Sequence, residues 1–200
     1  MRAVLYIHGK GGSAAECGHY RALFPDCDVL GLDYKTFTPW ETGPEIRSAI
    51  EELKSRYESV LLIANSIGAY FSLHAGIGRM IKKAWLISPV VDMEGLILGM
   101  MRAAGVTQAE LKARGVIRTA FGEDFSWEYL EYVRSHPIRW EAPTCILYGS
   151  GDQLTSRAAI SRFAERYHAS LTVMENGEHW FHTEAQMRFL DDWIRNSKDG

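Results

Sequence analysis

Apolar residues gather along this chain in short β-type runs at 3–8, 29–33, 60–65, 84–88, 144–148 and 170–174. Most of these runs are separated by stretches with a helical period. Pro44 opens one in which Ile46, Ile50 and Leu53 recur on one face, and the chain closes with Met187, Leu190 and Ile194 at helical spacing. Strands that alternate with helices, and are apolar on both faces, form a parallel sheet covered on two sides. The predicted fold class is α/β, with about six mostly parallel strands and helices on both faces. There is no internal repeat and no low-complexity segment.

The stretch 92–140 departs from this rhythm, being far longer than one helical crossover and rich in Met, aromatic and charged residues. Leu96, Ile97, Met100 and Met101 predict one amphipathic helix, and Trp127, Tyr129, Leu130, Tyr132 and Val133 predict another before the break at Pro137. The expectation is a cap inserted into a single domain spanning 1–200. Two readings of the cap stay open. Its residues either cover the sheet or form a Met- and aromatic-lined lid, in which Met100 and Trp127 touch the substrate.

Composition narrows the classes of function. Two hundred residues with 46% hydrophobic and 24% charged content suit one domain with a sizeable core. A formal net charge of -3 gives no basic footprint for nucleic acid or an anionic membrane surface. Cys17, Cys27 and Cys145 are odd in number and lack metal-ligand spacing, which favours reduced thiols and a reducing compartment. The apolar run at 3–8 is too short for a secretory signal, and no stretch reaches the eighteen or so residues that span a bilayer. The expected location is cytoplasmic, with a small molecule as partner and neither cofactor nor metal.

The candidate chemistry centres on Leu61-Leu62-Ile63-Ala64-Asn65-Ser66-Ile67-Gly68-Ala69-Tyr70, where an apolar strand turns on a serine between small residues and re-enters as a helix. Such a turn holds the Ser66 hydroxyl clear of both elements. Ala64 stands where the usual Gly-x-Ser-x-Gly pattern has its first glycine. A serine nucleophile needs a base, an acid to orient that base, and donors for the developing oxyanion. The base candidate is His179, in the loop after the last strand, with His182 as the alternative. The acid candidate is Asp152, in the glycine-bearing loop Gly149-Ser150-Gly151-Asp152, with Asp92 as the alternative. The donor candidate is the loop Ile7-His8-Gly9-Lys10-Gly11-Gly12-Ser13. There Gly9 lets backbone approach a bound substrate, and the Lys10 amide can pair with that of Ile67. The loop lacks the spacing of a phosphate-binding or dinucleotide-binding motif. His8 is expected to brace it.

Taken in order, His8-Gly9, Ala64-Asn65-Ser66-Ile67-Gly68, Gly149-x-x-Asp152 and Gly177-x-His179 resemble the landmarks of the α/β-hydrolase family, over nearly the whole chain. The resemblance implies a strand order of 2-1-3-4-5-6, with the Gly9–Lys10 loop and the Ser66 elbow side by side at the switch point. The family's usual antiparallel strands ahead of the His-Gly strand are missing, so the form is a minimal one, similar to short esterase-like hydrolases. The expectation is a serine hydrolase acting on a small carboxylic ester or thioester. The alternatives are a non-catalytic small-ligand module and an acyl transferase or perhydrolase on the same scaffold.

Overall fold

The computed structural model describes residues 1–119, 122 and 124–198. In chain order, β1 (Arg2–Ile7) leads through the glycine-rich loop into a 3-10 helical segment (Ala14–Leu23), followed by β2 (Cys27–Leu32), α1 (Pro39–Arg56), β3 (Ser59–Asn65), α2 (Ile67–His74) and β4 (Ala84–Ile87). The middle of the chain forms α3 (Met93–Ala103), α4 (Gln108–Arg114), the two-residue strands β5 (Val116–Ile117) and β6 (Phe125–Ser126), and α5 (Trp127–Ser135). It closes with β7 (Thr144–Gly149), α6 (Arg157–Tyr167), β8 (Ser170–Met174) and α7 (Glu184–Ser197).

Six strands form one sheet in the order β2-β1-β3-β4-β7-β8, and every pair in it is parallel. Counted within that sheet, the order is 2-1-3-4-5-6. The inner strands β3, β4 and β7 and all of β1 past Arg2 are almost wholly buried, whereas the edge strands β2 and β8 are only partly covered. Burial on both faces explains why the inner strands read as continuous apolar runs rather than alternating ones. Every second residue, including Val4, Tyr6, Leu61, Ile63, Trp85, Ile87, Cys145 and Leu147, packs with Tyr20, Leu23, Leu190, Trp193 and Ile194 on the face under the 3-10 segment and α7. The strand order reverses at β1, which pairs with β2 on one side and β3 on the other. The register Ile7↔Ala64 releases the chain ends of β1 and β3 next to each other. That is where an open parallel sheet has a crevice.

Helix α1 begins five residues before the proline expected to open it. Thr38 is its N-cap and Pro39 takes the first turn, while Pro44 lies inside the helix. Pro39 has the φ that a first helical residue needs and no N–H to waste, so the earlier proline starts the helix. The predicted stripe of Ile46, Ile50 and Leu53 is buried. Helix α7 is closed at its start by Thr183, whose hydroxyl accepts the Gln186 amide while the Gln186 side chain accepts the Thr183 amide. Cys17, Cys27 and Cys145 are free thiols.

The chain divides into two compact units, one of Met1–Val91 with Arg139–Gly200 and the other of Asp92–Ile138. The first contains the sheet. The second has its own small core of Met101, Leu111, Ile117, Phe125 and Leu130, with Ile97, Leu98, Met100, Val106 and Trp127 packed against it. The two stripes expected in 92–140 fall on α3 and α5. Helix α4 and the antiparallel β5–β6 pair were not anticipated, because a seven-residue helix with one buried side chain and a two-residue ladder carry no readable period. Residues 120, 121 and 123 of that stretch lie outside the described residues. Among the described residues no helix is long and apolar enough to cross a membrane.

Candidate active site

Ser66 sits between β3 and α2 with φ 51 and ψ -119. A residue with a side chain adopts that conformation only where its surroundings impose it. Here the end of β4 supplies the restraint: the Ser66 N–H donates to the Ile87 carbonyl at 3.0 Å, and the Ser66 carbonyl accepts from the amides of Val90 and Ala69, each at 3.2 Å. On the other side the elbow lies against β1. A Cβ on Gly68 would stand 2.2 Å from the His8 carbonyl oxygen, so this position admits only glycine. Ala64 pairs with Ile7 and Leu86 inside the sheet, and its methyl group is fully buried there.

His179, in the loop between β8 and α7, places Nε2 2.7 Å from Ser66 Oγ and Nδ1 2.7 Å from Asp152 Oδ2. An ionised carboxylate only accepts, so the proton is on Nδ1 and the bare Nε2 accepts from the serine hydroxyl. The Asp152 side chain is 0% exposed and that of His179 22%. Burial would by itself raise the Asp152 pKa. The hydrogen bonds from His179 and from the Thr155 amide and hydroxyl outweigh it and hold the carboxyl below its ordinary value. Its Oδ1 also accepts the Leu154 amide at 2.7 Å. Thr155 therefore belongs to the site, although a threonine three residues past an aspartate reads in sequence only as part of a turn.

The loops carrying Asp152 and His179 touch through backbone. A Cβ on Gly149 would lie 2.3 Å from the Gly177 carbonyl oxygen, which accepts the Gly151 amide at 2.8 Å. Ser150 strengthens the junction, accepting the Asn176 amide at 2.8 Å and donating to the Glu175 carboxylate at 3.1 Å. The alternatives have other partners. His182 donates from Nδ1 to the Trp180 carbonyl at 2.7 Å, and Asp92 accepts the Gly95 amide at 2.9 Å as the cap of α3.

The glycine-rich loop flanks the serine on its other side. A Cβ on Gly9 would be 3.2 Å from Ser66 Cβ, so the Gly9–Lys10 peptide passes beside the nucleophile candidate. Ile67 opens α2, where the first amides have no carbonyl within the helix to bond. His8 braces the loop. Its ring stacks on Tyr34 at 4.3 Å and donates from Nδ1 to the Gly9 carbonyl at 2.7 Å, while the Tyr34 hydroxyl donates to the His8 carbonyl at 3.0 Å. Beneath the loop, the Tyr6 hydroxyl donates to the Glu16 carboxylate at 2.5 Å, and burial, reinforced by Tyr20 and Glu16, pushes the Tyr6 pKa far up, so the phenol stays a donor. The spacing Ser13-x-x-Glu16 is a legible capping signal for this second layer, whereas nothing local marks Tyr34. Met100 and Trp127, expected to touch substrate, pack against the second unit's own core.

No protein-family model and no curated protein matches the sequence. Solved structures do match the fold. Est1E from Butyrivibrio proteoclasticus, solved with ferulic acid bound, is 14% identical, with a TM-score of 0.74 over 98% of this chain and 87% of its own. Alpha/beta hydrolase domain-containing protein 10 from mouse is 16% identical, with a TM-score of 0.75 over 98% and 89%. A serine hydrolase without a lid from Xanthomonas campestris is 15% identical, with a TM-score of 0.64 over 98% and 79%. The fold of this chain is that of the α/β hydrolases.

Proposed function

We propose that this chain is a serine hydrolase of small carboxylic esters or thioesters, working through an acyl-enzyme on Ser66. The observation that carries the reading is the unbroken line from Ser66 Oγ to His179 to the buried Asp152, with both links at 2.7 Å. Ser66 Oγ attacks the substrate carbonyl carbon as its proton passes to His179 Nε2. The carbonyl oxygen, now an oxyanion, takes hydrogen bonds from the Lys10 and Ile67 amides, each worth about 2.7–4 kcal/mol in the transition state. The tetrahedral intermediate then collapses, the bond to the leaving oxygen or sulfur breaks, and His179 returns the proton to the leaving group. Water repeats the sequence on the acyl-enzyme and restores Ser66. Throughout, ionised Asp152 keeps the imidazole in the productive tautomer and stabilises its charged form. The esterase and hydrolase names among the structural neighbours support the same scaffold chemistry.

A fluorophosphonate probe tests this directly. Wild type is expected to be labelled and Ser66→Ala not, with kcat/KM on an activated short-chain ester falling at least about 10³-fold in Ser66→Ala. Unlabelled wild-type protein would sink the proposal. The acyl and leaving groups accepted are read with a chain-length series of p-nitrophenyl esters and matching thioesters.

A further inference from the structure

Glu16 has no part in the reaction just described, yet it lies under the loop that borders Ser66. It reaches that loop twice. Its Oε1 accepts the Ser13 amide at 3.3 Å, and a Cβ on Gly12 would stand 2.7 Å from the same oxygen. Its Oε2 accepts the Tyr6 hydroxyl at 2.5 Å. Tyr6 is almost fully buried in β1, where it pairs in register with Ile63 of β3, three residues before Ser66. Asn65 immediately precedes Ser66, and its side-chain carbon lies 3.8 Å from where a Cβ on Gly9 would be. Gly9 is in turn tied to Gly12, whose amide it accepts at 3.2 Å.

These contacts form a chain from the sheet to the serine: Tyr6 to Glu16, Glu16 to the 12–13 turn, and that turn to Gly9 beside Ser66. Glycine-rich backbone is the most mobile kind, and an oxyanion donor misplaced by a fraction of an ångström loses much of its value. Helix α2 fixes the Ile67 amide. The Lys10 amide has no helix behind it.

We propose that Tyr6 and Glu16 are positioning residues that hold the Gly9–Lys10 peptide at the distance from Ser66 required to receive the oxyanion. The inference rests on the hydrolase reading. The phenol gives direction, because its single O–H points from the rigid strand to one carboxylate oxygen. The carboxylate gives span, because its two oxygens serve the strand and the loop at once.

The test is the element effect at the carbonyl. Sulfur is a larger and weaker acceptor than oxygen, so an oxyanion site favours an ester over its thiono analogue only while its donors are well placed. Activity per fluorophosphonate-titrated site is measured on a matched ester and thiono ester for wild type, Tyr6→Phe, Glu16→Ala and Glu16→Gln. In Tyr6→Phe and Glu16→Ala, kcat on the ester is expected to fall about three- to tenfold with KM little changed. The thiono rate should fall less, so the oxygen-to-sulfur ratio shrinks. Glu16→Gln keeps one acceptor oxygen and should lie between Glu16→Ala and wild type. Equal losses on both substrates, or an unchanged ratio in well-folded variants, would overturn the positioning role while leaving Ser66 labelling intact. Should Tyr6→Phe fold poorly, the two Glu16 variants decide, since their backbone contacts are at the surface. Loss of labelling in wild type, by contrast, would remove the hydrolase reading itself.

Discussion

The backbone of Ser66 is held where a residue with a side chain loses on the order of 1–3 kcal/mol, and the neighbouring strand end keeps it there through hydrogen bonds on both its amide and its carbonyl. The glycines around it are therefore as consequential as the candidate reactive groups. Gly68→Ala would drive a methyl group into the His8 carbonyl. It is expected to cost about 1–3 kcal/mol, read as a lower denaturant midpoint at unchanged slope. Asp152 makes a pH-dependent prediction. Its folded pKa lies below its unfolded one, so its ionised form adds stability that is complete above about pH 4 and is lost as pH falls through the lower folded value. The stability gap between wild type and Asp152→Asn should accordingly narrow as unfolding is followed from pH 7 towards pH 3. At this scale the residues next to strand-end glycines were legible, because glycine marks where backbones must approach. Thr155 and Tyr34 were not, since their importance comes from partners that local pattern does not reveal.

Among the elements, the inner strands announced themselves through continuous apolar runs, and α7 through its stripe of Met187, Leu190 and Ile194. The start of α1 was misplaced because two prolines compete for the same signal, and only the cap at Thr38 separates them. The second unit was half legible: α3 and α5 have apolar faces, whereas α4 and the β5–β6 pair are too short for a period to show. Its stability rests on few side chains. Leu111 is fully buried at its centre, and Leu111→Ala is expected to cost about 2–5 kcal/mol. Amide exchange should accelerate in 93–135 before it does in the sheet. Equal acceleration in both would mean that the two units unfold together.

At the scale of the whole chain, the last helix closes on the middle of the sequence. The Trp85 indole donates to the Ser197 hydroxyl at 2.7 Å and Lys83 donates to the Ser197 carbonyl at 2.5 Å, pinning the last turn of α7 near the start of β4. Ser197→Ala leaves the indole N–H of an almost fully buried tryptophan without its acceptor, at about 1–3 kcal/mol, and should lower Tm by several degrees. The shared direction of β3, β7 and β8 puts Ser66, Asp152 and His179 past the same end of the sheet, which the alternation of strands and helices already implied. What alternation could not convey is how the strand-end loops interlock. Gly149 against Gly177, Gly68 against His8 and Gly9 against Ser66 are meetings of main chain with main chain or with a single Cβ. A site assembled from such meetings depends on shape far more than on letters. Most of its surrounding side chains can drift while the contour endures, which is how a chain only 14–16% identical to Est1E and the mouse hydrolase-domain protein still superposes on them over 98% of its length.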